Sequence, residues 1–160
     1  MGIPFSLPQM FKIVDATAGP VTTNGGVTSD TVSLKNAHKA WIVLQFTQAV
    51  GHATVITPRQ ATDVASATNA VIPAVPIWQN ADTAASDTLV AATAAANLTL
   101  TNDVKKKQVI FEFDPALFTA GYDCLYFTVS DSSQAANFVS GQFFLLERYQ
   151  QGTPPAAISD

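Results

Sequence analysis

A chain of 160 residues with 48% hydrophobic residues is one domain large enough to bury a core. It needs no disulfide framework or structural metal to fold. Its charged residues are only 12%, against a usual ~25%, and its net charge is −4, which excludes the broadly basic surface of an ordinary nucleic-acid binder.

The low charge has a second consequence. A surface built from Ala, Thr, Ser, Asn and Gln loses little on leaving water, because few ions must be stripped of their hydration. Such a surface suits a chain packed permanently against others. The one basic run, Lys105-Lys106-Lys107, lies beside a turn and reads as a solvated loop. Cys124 is alone, so no internal disulfide is possible, and its apolar setting predicts a buried thiol in a reducing compartment. The opening residues Met1 to Pro8 carry no basic segment and two prolines, so no signal peptide is expected. No apolar stretch approaches the ~18 residues of a membrane span.

Strand signals dominate. Lys12–Asp15 reads as a short strand ended by Gly19-Pro20. Val21–Thr23 leads into the turn Asn24-Gly25-Gly26. Thr31–Leu34 alternates, which places Val32 and Leu34 on one face. Trp41–Phe46 is a nearly unbroken apolar run and predicts a central strand covered on both faces. Ala53–Thr57 is a strand that Pro58 is expected to close.

Residues 60–70 predict a long loop with at most one helical turn. In Val75–Gln79, Pro76 predicts an edge strand or a bulge, since proline donates nothing to a ladder. Thr88–Ala96 is ambiguous: alanine favours helix, while Leu98–Thr101 just after it alternates as a strand. Gln108–Phe113 is the clearest strand, with Val109, Phe111 and Phe113 on one side and Gln108, Ile110 and Glu112 on the other. Asp114-Pro115 stops it, and Ala116–Phe118 predicts a short helical turn. Tyr122–Val129 and Phe143–Tyr149 complete the set.

The expected fold is all-β. It is a jelly-roll-like β-sandwich of about eight short antiparallel strands over residues 11–149. An N-terminal arm (1–10) and a C-terminal arm (150–160) flank it. Both arms lack a strand pattern and are expected to gain order by docking on neighbours. Their apolar and proline residues are the candidate partner-binding residues: Pro4, Phe5, Leu7, Pro8, Phe11, Pro154 and Pro155.

No catalytic, cofactor or metal residues are predicted. Two isolated histidines, His38 and His52, do not make a zinc set, which needs three or four converging ligands. There is no Gly-x-Ser-x-Gly elbow and no phosphate-binding glycine loop. Asp30, Asp63, Asp82 and Asp87 fall among small polar residues and read as turn formers. Glu112 and Glu147 are the only glutamates, both in strands, and Glu147 beside Arg148 reads as a cross-strand ion pair. Asn97-Leu98-Thr99 matches a glycosylation sequon, without a secretion signal to give it meaning. Exposed aromatics, Trp78 first, are the candidate platform if the chain binds sugar.

One order of segments is familiar. Phe11–Ala16 precedes a Thr/Gly-rich turn, then Ser33–Val43. Later come Phe113–Leu117, Gly121-Tyr122-Asp123, the Ser/Ala/Asn stretch Ser132–Asn137, and a last strand ending Glu147-Arg148-Tyr149. This layout, over residues 11–149, resembles the small decoration, or cement, proteins of tailed-bacteriophage capsids. The resemblance implies a β domain on the capsid exterior, assembled in the host cytoplasm. It would tie subunits of the major capsid protein together, with neighbouring copies of itself as further partners. It implies no cofactor, no nucleic acid and no membrane, and it offers no catalytic residues to transfer. A tail or head-fibre module, a carbohydrate-binding adhesive sandwich and an enzyme are the alternatives.

Overall fold

The computed structural model describes residues 6–149 and 156–158. A single helical turn, α1 (Leu7–Met10), opens it, entered through Pro8. Thirteen strands follow: β1 (Phe11–Asp15), β2 (Val21–Thr22), β3 (Val27–Thr28), β4 (Val32–Ser33), β5 (Ala37–Thr47), β6 (Thr54–Ala61), β7 (Asn69–Val71), β8 (Val75–Asn80), β9 (Val90–Ala95), β10 (Leu98–Leu100), β11 (Lys106–Phe113), β12 (Cys124–Val129) and β13 (Phe138–Glu147). A 3-10 turn, Pro115–Leu117, lies between β11 and β12, where a helical turn was expected, and the Asp114 carboxylate caps it by accepting from Ala116 N at 2.9 Å.

Eight strands have five residues or more; the other five, which include the expected strands at 31–34 and 98–101, are two- or three-residue pairings on their flanks. All pairings are antiparallel. The larger sheet runs β1-β13-β5-β11-β8-β9, with β2 also on β13. The smaller runs β10-β6-β12-β3, with β4 on β12 and β7 on β6. From β1 to β6, and again from β10 to β13, the chain crosses between sheets. The two quartets β1-β13-β5-β11 and β3-β12-β6-β10 are thus the sheets of a jelly roll. The hairpin β8–β9 is an insertion that widens the larger sheet.

The core lies between the sheets. Ile42, Leu44, Phe111, Phe113 and Phe143 come from the larger sheet, and Ile56, Leu125 and Phe127 from the smaller, all fully buried. Each is worth roughly 1.5–3 kcal/mol of transfer free energy. Phe127 meets Phe143 across the gap with ring centroids 6.1 Å apart. Gly141 makes this approach possible. A Cβ there would lie 2.6 Å from Leu44 Cδ2 and 3.1 Å from Phe127 Cζ.

Several polar groups inside are paired, although Gln48 Oε1, Asp63 Oδ1 and Glu147 Oε2 are buried with no hydrogen-bond partner among the described residues. Gln60 donates to Thr119 Oγ1 and accepts from Thr119 N, both at 2.8 Å. Asn137 bonds both backbone groups of Val50, at 2.8 and 2.9 Å. Lys107, 2% exposed, points into the sandwich, and its ammonium donates to Thr101 O and Oγ1 at 2.8 Å and to the Asp103 carboxylate. The Lys107 hydrogen bond, then that of Thr101, holds the Asp103 carboxyl down to about 2.

Several expectations are corrected. Pro58 does not end β6 but sits inside it. Its carbonyl accepts from Ile72 N, so its nitrogen faces the same edge. There β10 pairs with 54–56 and β7 with 59–61, and the gap between them asks for no donor. The 60–70 loop contains part of β7. The Ala-rich stretch is strand β9, because pairing with β8 outweighs alanine's weak helical preference. Pro76 does mark a bulge, between Val75 and Ile77, but β8 is interior, flanked by β11 and β9. Cys124 is buried, though not between the sheets: it lies with Ala61, Tyr126 and Val64 on the outer side of the smaller sheet.

Of the C-terminal arm, Ala156–Ile158 is described, and Ala157 is buried in the core cluster of its own chain. Residues 1–5, 150–155, 159 and 160 lie outside the described residues.

Gly141→Val should lower the free energy of unfolding by roughly 1–3 kcal/mol, read as a lower urea midpoint. An unchanged midpoint would show that the sheets are not closely packed there. Acid offers a second check. A carboxyl whose folded pKa lies below its unfolded value of ~3.9 stabilises above that value and ceases to as pH falls through the folded one. The urea midpoint should therefore drop between ~pH 4 and pH 2, and drop less in Asp103→Asn, which starts lower because Lys107 has lost its counter-charge.

Candidate functional site

The two outer sheet faces are unlike. On the smaller sheet, Arg59 donates to Tyr126 OH at 2.9 Å and to Asn69 Oδ1 at 2.6 Å, and Val64 of the 62–68 connection packs on Cys124 and Tyr126. That face is polar and partly roofed. The larger sheet presents an open face, built by alternation along β11, along β5 from Ala40 onward and along β13 as far as Leu145.

Its rows follow from the register. Ile13, Phe144 and Trp41 stand side by side, with Glu112 next to Trp41. The next row is Gln142, Val43, Ile110 and Trp78, with Asp15 and Ala91 at its ends. The third is Ser140, Gln45 and Gln108. Apolar and amide side chains dominate. The one ion pair in the middle, Lys39 with Glu112, cancels its own charge, and the Lys39 ammonium also lies 5.4 Å from the Trp41 ring centroid. Ile13 and Trp78 are 39% and 41% exposed.

At ~4.8 Å per strand, six strands span about 24 Å. Only the Val43 row crosses all six strands, and the rows beside it are shorter, so the face falls short of the ~800 Å² per partner of a stable protein–protein interface.

The predicted arm residues border this face in part. Phe11 packs against Trp41, ring centroids 5.8 Å apart, and so forms its rim on β1. Leu7 and Pro8 are exposed on α1, which leads into β1. Pro4, Phe5, Pro154 and Pro155 lie outside the described residues. The face itself was missed by sequence reasoning. β5 was expected to be covered on both sides, whereas Trp41 and Val43 are only half-buried and Gln45 is exposed. The usable signal was Ile110, an apolar residue on the polar side of β11.

A cleft of about 580 Å³ opens at one end of the sandwich and is lined by His38, Asp114, Asp123, Tyr122 and Arg148 among others. Its charged groups are engaged in structure. Asp114 caps the 3-10 turn, Arg148 Nε donates to Ala37 O at 3.1 Å, and Asp123 lies 3.8 Å from Lys35 Nζ. No hydrogen bond joins His38 to a carboxylate among the described residues. Among the described residues no ion pair joins Arg148 to Glu147, and the cross-strand charge acting on Glu147 is that of Lys12 on β1. Burial holds the Glu147 carboxyl above its ordinary range, and the charge of Lys12 pulls the other way. His52 lies elsewhere, its Nδ1 2.8 Å from Ala53 O. No group of three His, Cys, Asp or Glu side chains placed for a metal occurs among the described residues. No helix there is long and apolar enough to cross a membrane.

No family model matches the chain, and no curated protein does. Among solved structures it is similar to the SPBc2 prophage-derived protein YomS, at 10% sequence identity, over 90% of this chain and 98% of that one, with a TM-score of 0.47. At that score the likeness does not extend to function.

Proposed function

We propose that this chain is a structural component of a phage virion that docks on the outside of the capsid and bridges subunits of the major capsid protein. The observation that carries the reading is the open, nearly uncharged outer face of the larger sheet. It is broad and low in charge, which favours another protein surface, and a depression there beside Asp15, Val43 and Gln142 holds about 280 Å³. The segment order that resembles capsid decoration proteins names the partner. On this reading the chain carries out no chemistry of its own and needs no cofactor, nucleic acid or membrane. It works by mass action: a ligand that binds only the assembled shell stabilises that shell. Desolvating amide and apolar side chains at a seam costs little, so many modest contacts suffice. Neighbouring copies of the chain would occupy adjacent positions on the shell.

A carbohydrate-binding reading draws on one specific observation, the presence of Trp41 and Trp78 on the same face as Gln45, Gln108 and Gln142. Stacking rings with amide donors can hold a sugar chain. A tail or head-fibre module would use the same face within a bundle of copies.

Trp78→Asp distinguishes these. The variant should remain folded, checked by circular dichroism, and reduce the copy ratio to the major shell protein on purified particles at least tenfold. Unchanged occupancy with lost binding on a glycan array would replace the capsid reading with the sugar one. Unchanged occupancy alone would remove this face as the docking surface.

A further inference from the structure

The open face of the larger sheet has one built feature, the depression beside Asp15. β1 ends at Asp15, opposite Gln142, and β2 begins at Val21, opposite Val139. Between these points Ser140 and Gly141 have no strand beside them on that edge of β13. The connection that passes them is pinned. Ala16 N donates to Gly141 O at 2.9 Å, Gly141 N donates to the Thr17 hydroxyl at 3.1 Å, and that hydroxyl donates to Gly19 O at 2.7 Å. Gly19 turns the chain at φ +94°, a conformation open to glycine without strain. Thr17 N donates to Asp15 Oδ1 at 3.2 Å and so orients the carboxylate. The result is a depression of about 280 Å³ lined by Asp15, Gly19, Val43, Gln45, Ser140 and Gln142.

Its chemistry is that of an acceptor site. Asp15 enters no ion pair among the described residues, and the side chains of Gln45, Ser140 and Gln142 make no hydrogen bond there. Two lysines face outward on this sheet. Lys39 is held by Glu112, and Lys106 stands two rows and three strands from Asp15, about 20 Å at ordinary sheet spacings. A protein docked on this face would therefore bury an uncompensated carboxylate unless it brought a cation of its own. A sugar is disfavoured here, since neither Trp41 nor Trp78 lines the depression to stack on it. Among cations, a guanidinium carries five donors in a planar fork, enough for the carboxylate and for amide oxygens on neighbouring strands, while an ammonium is a compact point charge. Its apolar stem would lie along Val43. A second copy is a poor source. Both arginines of the chain are already hydrogen-bonded within it, Arg59 to Tyr126 and Asn69 and Arg148 to Ala37 O.

We infer that this depression seats an arginine side chain of the partner protein, with Asp15 as its counter-charge and Gln45, Ser140 and Gln142 as further acceptors. On a face otherwise held by apolar and amide contacts, this one charge-assisted pair fixes how the partner is oriented, because it is stronger and more directional than the contacts around it. The inference deepens the reading that the outer face of the larger sheet docks on the shell protein, and it rests on that reading.

The test measures binding of the full chain and of Asp15→Asn to purified particles that lack it. Asparagine keeps the shape and an acceptor for Thr17 N but removes the charge. The particles are used untreated, or after butanedione has blocked their arginines. Asp15→Asn should bind untreated particles about tenfold more weakly. Butanedione should weaken the unaltered chain by a similar factor and leave Asp15→Asn nearly unchanged, since both changes remove the same contact. Equal losses for the two proteins would place the arginine elsewhere and overturn the inference, as would full binding by Asp15→Asn. If Trp78→Asp loses binding while Asp15→Asn keeps it, the sheet-face reading stands and the inference alone falls. If the unaltered chain binds no particle, that reading falls, and a titration of isotope-labelled chain with methylguanidinium, followed by NMR, decides the site. Saturable shifts of the Ser140 and Gly141 amides, lost in Asp15→Asn and weaker with methylammonium, would uphold it. Their absence would overturn it.

Discussion

The approach of the two sheets at Gly141 is the constraint from which the rest follows. Phe127 and Phe143 fill the centre of the sandwich, and the missing side chain at 141 lets Leu44 and Phe127 close over β13. Once the sheets are set at this spacing, alternation along each strand leaves no choice. Every second residue of β5, β11 and β13 must enter the core, and every other one must face out. Trp41, Ile110 and Phe144 are turned outward by the same register that buries Ile42, Phe111 and Phe143. The open apolar face is therefore a consequence of the core. It persists because nothing in the described chain folds over it.

The scarcity of charge acts together with this geometry. Some of the few ions are arranged in pairs: Lys39 with Glu112, Lys35 with Asp123, and Lys105 and Lys107 around Asp103, with Asp82 beside Lys105. The lysine run that looked like a solvated loop is in fact divided. Lys105 and Lys106 are exposed, while Lys107 is buried and tied to Thr101 and Asp103. Such pairing leaves long tracts of the surface neutral. A neutral surface repels nothing and desolvates cheaply, which suits repeated contact with like subunits more than selection of a charged small molecule.

The turns follow the same economy. Asp131 accepts from Gly25 N and Ser133 N, each at 2.6 Å, and those backbone bonds hold its carboxyl below the ordinary range. One carboxylate thereby joins the Asn24-Gly25-Gly26 turn to the segment before β13. Asn137 likewise replaces a strand partner for Val50. Short polar side chains do here what longer strands do elsewhere, which explains why a Ser/Ala/Asn stretch needs no regular structure of its own.

Composition and period alone determined the class of fold, the strand from Gln108 to Phe113 and the stop at Asp114-Pro115, and left Pro76 as an edge or a bulge. These are local properties, fixed by side-chain alternation and by what proline can and cannot donate. Tertiary structure decided the rest. Pro58 is accommodated inside a strand because two different partners meet at that point, and Val90–Ala95 is a strand because β8 offers it a ladder. An apolar run such as Trp41–Phe46 states only that both sides tolerate burial. Which side is covered depends on sheets brought together from distant parts of the chain, and so does the docking of Ala157 against Ser33, more than a hundred residues away.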